Sequence, residues 1–273
     1  MLHGIRVVAL TTNIPGPLAA ARLRGLGAAV TKIEPLRGDP LAGAAPSWYA
    51  QIVAGMEIEQ FDLRAPEAKA LLDQQLRDAD LLVTAMRARS LVNAGLDWPS
   101  LRARYPRLCY VALMGEAPPH EDRAGHDLTY QARAGTIVPP AMPRVLIGDM
   151  AAAERVVSTA LALLLQRERG GGAAAASVAI TDAAEEFAKP YAAGLTRAGG
   201  ELGGALATYN IYRAREGWVA VAALEPHFIE RLRAMLGVDV LDAESLGGAF
   251  SQRSAQEWEA LAQHHDVPLA AIR

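Results

Sequence analysis

The sequence is poor in cysteine, and it lacks both a metal-binding histidine pattern and a strong charge of either sign. Its only cysteine, Cys109, lies in the apolar run LCYVAL, so disulfide frameworks and cysteine-rich metal sites are excluded. A buried strand position is expected for this thiol. The six histidines include the neighbours His264 and His265, but no ligand spacing is present, so no metal site is predicted.

The formal net charge is −3 over 273 residues, whereas nucleic-acid binders usually carry a strongly basic face. The longest apolar stretches, such as 158–166, fall well short of the roughly 20 residues that a membrane span needs. The first ten residues show no cationic segment followed by an apolar core, as a signal peptide would. We therefore expect a cytoplasmic protein with neither nucleic-acid nor membrane partners.

Short β-branched runs alternate with helical segments through most of the chain. The pattern predicts strands at 5–10, 29–35, 79–84, 107–114 and 177–181, and helices after the first strand and over 66–77, 98–104 and 150–170. This alternation is typical of an α/β fold, a Rossmann-like parallel sheet with right-handed crossovers. The fingerprint G-x-G-x-x-G is missing from the first turn, so a nicotinamide or flavin enzyme is not expected.

The pattern changes after the glycine-rich connection AGGELGG at 198–204. A hairpin is predicted over 208–224, with Arg-Glu-Gly at its turn, and amphipathic helices over 224–237 and 254–265. We therefore expect a large α/β domain over 1–200 and a small α+β domain over 201–273.

Four ionisable residues stand at the ends of predicted elements. His126 and Asp127 follow a proline-containing loop, Asp149 separates a glycine from an alanine-rich helix, and Glu225 precedes Pro226. Helix-end chemistry explains each of the three acidic residues singly, because first turns favour acidic side chains. A loop histidine near the start of a helix is usually just solvated or hydrogen-bonded. Asp127 in particular is expected to be the N-cap of the helix LTYQARAG.

Five longer runs, in the same order along the chain, resemble one enzyme superfamily. They cover 13–40, 61–83, 95–135, 147–172 and 209–237. These runs are similar to the class III CoA-transferase superfamily, which includes formyl-CoA transferase and 2-methylacyl-CoA racemase. The chain ends at PLAAIR, where the superfamily continues, so a shortened member is expected. The resemblance implies an interlocked homodimer, a large domain that binds CoA, and an acyl-CoA substrate with no cofactor besides the CoA that it carries.

Within the superfamily, the resemblance favours the racemase branch. The racemases place the aspartate of the GDM motif, here Asp149, opposite the histidine of the GHD motif, here His126. Glu225 is paired with that histidine, and Asp127 helps to hold the site. The leading expectation is thus a racemase or epimerase of 2-methylacyl-CoA thioesters that moves protons through an enolate. Its oxyanion would be bound by the backbone N–H of Asp149 or Met150.

Two alternatives stand beside this one. In the transferase branch the same Asp149 is a nucleophile that forms an acyl anhydride and passes CoA to an incoming acid. In the second alternative, the chain is a non-catalytic relative that binds CoA or a partner.

The resemblance places nucleotide contacts on the first βα loop and on the segment 84–91, which contains Met86 and Arg87. Arg37, in the loop after KIEP, is a further candidate, and an ordinary surface position explains either arginine equally well. An arginine suits phosphate because its planar fork binds two oxygens. Three departures from the superfamily pattern remove phosphate-binding charge and loop flexibility, which leaves open both a reduced racemase with a different acyl group and a relative that has lost its chemistry. Ala88–Arg89 replaces the Pro-Gly after Arg87, the run IVAGMEIEQ carries no cation, and Ala151–Ala153 replace the glycines after GDM.

Overall fold

The computed structural model describes residues 1–273, and the chain forms two compact units, Met1–Ala188 and Lys189–Arg273. The division into domains over 1–200 and 201–273 stays a prediction. None of the helices combines the length and the apolar composition that a membrane crossing requires.

A six-stranded parallel sheet forms the centre of the first unit. Its strands are β1 (Arg6–Leu10), β2 (Ala29–Glu34), β3 (Glu57–Gln60), β4 (Leu81–Thr84), β5 (Cys109–Met114) and β6 (Ala175–Ala179). They lie in the order β3-β2-β1-β4-β5-β6, so the strand order reverses between β1 and β4. The predicted α/β fold is confirmed, and Cys109 is buried in a strand as expected.

Nine helices surround or follow these strands. They are α1 (Pro15–Gly25), α2 (Pro40–Ala44), α3 (Pro46–Val53), α4 (Pro66–Asp78), α5 (Ala88–Ala94), α6 (Trp98–Arg104), α7 (Asp127–Ala134), α8 (Ile147–Gln166) and α9 (Ile180–Ala192). Alternate side chains of β1 enter two different apolar clusters. Val7 and Ala9 pack with α1, α8 and α9, whereas Val8 and Leu10 pack with α4 and α6. Period-two alternation in a strand therefore gives the sheet a core on each face.

The long helix α8 is packed through small residues. Ala151, Ala152 and Ala153 are fully or almost fully buried, and so are Ala19 and Ala20 of the neighbouring α1. Small side chains let two helix axes approach closely. The N-terminal end of α8 is therefore held firmly against α1 and the sheet.

The second unit contains an antiparallel sheet of β7 (Tyr209–Arg213), β8 (Trp218–Ala222) and β9 (Leu269–Ala271). Its helices are α10 (Pro226–Leu236), α11 (Ala243–Phe250) and α12 (Ala255–His265). Phe250, Trp258 and Leu232 form the centre of its core, and the Trp258 indole N–H donates to the Phe250 carbonyl at 2.8 Å. The predicted hairpin and both amphipathic helices are confirmed.

Candidate active site

Two adjacent cavities open at the carboxyl ends of the parallel strands. The first, here called the cleft, has a volume of about 470 Å³ and is lined by both His126 and Asp149. The second, here called the side cavity, has a volume of about 540 Å³. They share Thr12, which follows β1, and Ala85 and Met86, which follow β4. Ligands of open α/β sheets bind where the strand order reverses, and both cavities lie at this point.

His126 stands immediately before α7 and is fixed by its backbone. Its N–H donates to Thr129 Oγ at 3.1 Å, and its carbonyl accepts from the Thr129 N–H at 2.8 Å. His126 is therefore the N-cap residue of α7, and its exposed side chain is left free to line the cleft. The prediction that Asp127 is the N-cap was wrong, because Asp127 is the first residue of the helix itself.

Asp127 instead caps a different helix. Its buried carboxylate accepts the backbone N–H of Asp149 at 3.0 Å through Oδ1 and the Gln131 side-chain amide at 2.5 Å through Oδ2. The same Gln131 nitrogen donates to the Val145 carbonyl at 2.8 Å, just before α8. The first N–H groups of a helix have no partner within it, and Asp127 satisfies one of those of α8. The start of α7 is thereby joined to the start of α8.

Gly148 permits this close approach. A Cβ atom at position 148 would lie 3.0 Å from Asp127 Oδ1 and 3.2 Å from Ile180 Cγ2. These contacts are tighter than packed side chains normally make, so the neighbouring groups would have to move. The glycine of the GDM run thus has a steric role in bringing α7, α8 and α9 together.

Asp149 is the third residue of α8 and is half-buried. Burial, together with the nearby negative charge of Asp127, raises the pKa of the Asp149 carboxyl to about 7. A carboxyl group with this pKa exists in both protonation states near neutral pH. Perturbed carboxyls in clefts are candidates for functional groups.

The predicted oxyanion donors are both already engaged. The Asp149 N–H donates to Asp127, and the Met150 N–H donates to the Leu146 carbonyl at 2.9 Å. The structure therefore does not support the expectation that one of these amides binds the substrate oxygen, because neither is free to do so.

The residues expected to bind CoA divide between the two cavities. Met86 lines both of them, Arg87 lines the cleft, and Arg37 lines the side cavity. Both arginines are exposed and within reach of solvent. Glu225 is an exposed residue at the start of α10 in the second unit, and its pairing with His126 stays a prediction.

Sequence reasoning missed a buried charge cluster formed by Lys32, Glu34 and Asp39, of which Glu34 lines the side cavity. All three side chains are almost completely inaccessible, and the Lys32 ammonium group contacts Glu34 Oε1 and, at 2.9 Å, Asp39 Oδ2. Tyr49 and Gln60 also donate to the Glu34 carboxylate, at 2.5 and 3.2 Å. Burial alone would raise the pKa of Glu34, but the hydrogen bonds from Lys32 and Tyr49 outweigh it and lower the pKa below its usual value.

The buried charge cluster also holds the loop that borders both cavities. Asp39 Oδ1 accepts the backbone N–H of Asn13 at 2.9 Å, and Asn13 lines the cleft. Asn13 has a φ of 69°, a left-handed conformation that asparagine tolerates better than most residues. The β1–α1 loop is thus tied to the loop after β2. A lysine inside the apolar strand AVTKIE, followed by acidic residues, was the available sequence signal.

Two further residues of the cleft were not anticipated. Tyr130 of α7 is a buried tyrosine that lines it. Glu121 also lines it, with one carboxylate oxygen that is buried and makes no hydrogen bond. Both lie within the run 95–135 that resembles the superfamily, but their residue types alone gave no reason to place them in the site beside Asp149.

Comparison with known proteins gives a consistent result. The model of CoA-transferase family III matches residues 2–273. A probable fatty acyl-CoA transferase of Mycobacterium tuberculosis, Rv3272, is 29% identical over 270 residues, which are 86% of this chain and 68% of that protein. Cinnamoyl-CoA:phenyllactate CoA-transferase of Clostridium sporogenes is 34% identical over 149 residues, or 50% of this chain and 36% of that protein. A crystal structure of Rv3272 superimposes with a TM-score of 0.84 at 25% identity, covering 99% of this chain and 83% of that one.

Proposed function

The chain belongs to CoA-transferase family III, and from this premise we propose that it transfers coenzyme A from an acyl-CoA thioester to a carboxylic acid, with Asp149 as the nucleophile. The observation that carries the proposal is a half-buried carboxylate with a raised pKa, at the start of a closely packed helix and lining a cleft. The relatives described above are named as CoA-transferases or as a probable one, which favours transfer over racemisation.

The proposed reaction neither takes up nor releases a net proton, because it begins and ends with a thioester and a carboxylate. A carboxylate oxygen of Asp149 attacks the thioester carbonyl carbon, the C–S bond breaks, and CoA is expelled as a thiolate, which leaves a mixed anhydride between Asp149 and the acyl group. The thiolate then attacks the Asp149 carbonyl carbon, which releases the donor acid as a carboxylate and leaves an aspartyl-CoA thioester. The acceptor carboxylate attacks that thioester and again expels the thiolate. The thiolate attacks the acceptor carbonyl, which restores the Asp149 carboxylate and gives the new acyl-CoA.

This scheme predicts how the rate depends on pH. The nucleophile must be ionised, and the Asp149 pKa is about 7, so the reactive carboxylate is present above pH 7 and lost below it. We expect kcat/KM to fall roughly tenfold per pH unit below 7 and to level off above it. Measuring CoA transfer between pH 5 and 9 checks this. Asp127→Asn removes the neighbouring negative charge, so its inflection should lie at lower pH than that of the wild type. A profile that stays flat from pH 5.5 to 8 would argue against Asp149 as the nucleophile.

Racemisation is the second candidate, because His126 lines the same cleft as Asp149. An imidazole and a carboxyl group facing one α-carbon could remove a proton from one side and deliver one to the other. Enantiopure 2-methylacyl-CoA incubated in D₂O then gains α-deuterium and loses optical purity.

We expect His126→Ala to separate the two functions. Because His126 has no covalent role in the transfer scheme, transfer should remain measurable in the variant, whereas any racemisation should fall by on the order of 10²–10⁴-fold. Chiral analysis and a transfer assay on the same preparations give both rates. Loss of transfer together with retained α-proton exchange would reverse the assignment.

The CoA moiety is proposed to extend over both cavities. Arg37 and Arg87 would supply positive charge for its phosphates, and Met86 lies where the cavities meet. The homodimer implied by the family resemblance stays a prediction.

A further inference from the structure

We propose that the Tyr130 hydroxyl donates a hydrogen bond to the carbonyl oxygen of the thioester as Asp149 attacks it. The inference rests on the proposed transfer function. It gives a role to a residue that no part of the reaction scheme above uses.

The position of Tyr130 supports this role. Tyr130 lies one helical turn after His126, with its backbone N–H bonded to the His126 carbonyl at 3.2 Å. It lines the cleft together with His126 and Asp149, although only 3% of the residue is exposed. Its hydroxyl makes no hydrogen bond within the chain. The oxygen is not among the fully buried atoms that lack a partner, so it is accessible from the cleft and can bond a ligand there.

Two glycines make room for this hydroxyl. A Cβ atom on Gly115 would lie 2.3 Å from the Tyr130 oxygen, and one on Gly125 would lie 2.6 Å from it. Neither glycine has a positive φ, so their backbone conformation does not require glycine. The requirement is steric, because any larger residue at either position would collide with the phenol. The two glycines therefore accommodate a phenol whose hydroxyl has no hydrogen-bond partner in the chain.

The electrostatic surroundings keep the phenol in its donor form. Burial, and then the negative charges of Glu116 and Asp149, raise the pKa of Tyr130. The hydroxyl accordingly stays protonated at the pH at which Asp149 is ionised. The two backbone amides at the start of α8 that could have served as donors are already bonded within the chain. A fixed donor in a desolvated cleft stabilises a developing oxyanion better than water does.

Tyr130→Phe tests the proposal, because it removes one oxygen and keeps the ring. We expect kcat for CoA transfer to fall on the order of 10²–10³-fold, with KM changed much less. Hydroxylamine trapping of the Asp149 anhydride should slow by the same factor. The matched control is Tyr105→Phe, in which the lost hydroxyl bonds Asp73 and lies outside the cleft. The control should retain wild-type kcat.

The outcomes distinguish this inference from the function on which it rests. A wild-type chain that neither transfers CoA nor forms a trappable adduct refutes both. An active wild type and a Tyr130→Phe variant within about threefold of its kcat refute the inference alone. Thermal unfolding shows whether the variant is folded. If the variant is unfolded, a polyfluorinated tyrosine at position 130 replaces it, because this residue nearly keeps the shape of tyrosine and lowers the pKa of the phenol. Since the phenol must be protonated to donate, kcat should fall at high pH, and this fall must begin at lower pH with the fluorinated residue. A fall that begins at the same pH as in the wild type overturns the proposal.

Discussion

Asp149→Asn is expected to abolish CoA transfer, with a loss of more than about 10⁴-fold in kcat, as happens when a covalent nucleophile is removed. The amide oxygen of asparagine is too weak a nucleophile to form the anhydride. Transfer between an acyl-CoA and an acceptor acid measures the loss directly. Mass spectrometry after hydroxylamine treatment should find the modification at residue 149 in the wild type and none in the variant. A variant that keeps a tenth of the wild-type rate would remove Asp149 from the mechanism.

The same substitution should stabilise the protein, which provides an internal control for folding. Asp149 has a pKa near 3.8 when unfolded and about 7 in the folded chain, so its ionisation opposes folding. This penalty is absent below pH 4, develops as the pH rises towards 7 and is complete above it. Because the carboxyl is only half-buried, we expect Asp149→Asn to gain about 1–3 kcal/mol at pH 8 and almost nothing at pH 4. Urea unfolding at both pH values checks this. A loss of stability at pH 8 would mean that the carboxylate has a structural role.

Lys32→Met is the substitution expected to destabilise the fold most. It leaves the carboxylates of Glu34 and Asp39 buried without their shared cation. Breaking a buried ion pair by removing one partner costs about 3–5 kcal/mol, since the remaining charge stays uncompensated. Methionine has nearly the volume of lysine, so a cavity does not account for the effect. The free energy of unfolding in urea at pH 7 is the measurement.

The pH dependence and a surface pair provide the controls. Glu34 has a lowered pKa in the wild type, so its contribution is present above its unfolded pKa and is lost as the pH falls through the folded value. The difference between Lys32→Met and the wild type should therefore shrink in acid. Arg64→Met breaks the ion pair with Asp62 at an exposed site and should change stability far less than Lys32→Met does. Equal effects of the two substitutions would show that the buried charge cluster contributes no more than a surface pair.

The apolar pattern was enough to predict the sheet, apart from one of its edges. Strands β1, β2, β4, β5 and β6 are mostly apolar, and all lie close to their predicted positions. The edge strand β3 was missed because its sequence, EIEQ, is polar and largely exposed. The three-residue β9 and the short helices α2 and α3 give too little periodicity to be recognised.

The site was predictable only where it follows the superfamily motifs. His126 and Asp149 were predicted to share a cleft, and they line the same one. The role of Asp127 was missed because capping rules describe a residue and its own helix, whereas this carboxylate caps another helix 22 positions away. The contact of Asp39 with Asn13 also joins positions that are far apart in the sequence. Such contacts depend on how helices and strands pack, and a local sequence pattern does not specify them.

The alanines of α8 have a consequence for how this protein tolerates change. Ala152, Ala153 and Ala160 are completely inaccessible and separate the helix from its neighbours by a single methyl group each. A bulkier residue at any of these positions would displace α8 relative to the sheet, and Asp149, which lies in the first turn of α8, would be displaced with it. Variants several turns from the reacting atoms could then stay folded and still lose their chemistry, because a misplacement of about 1 Å is enough to cost on the order of 10²-fold in rate.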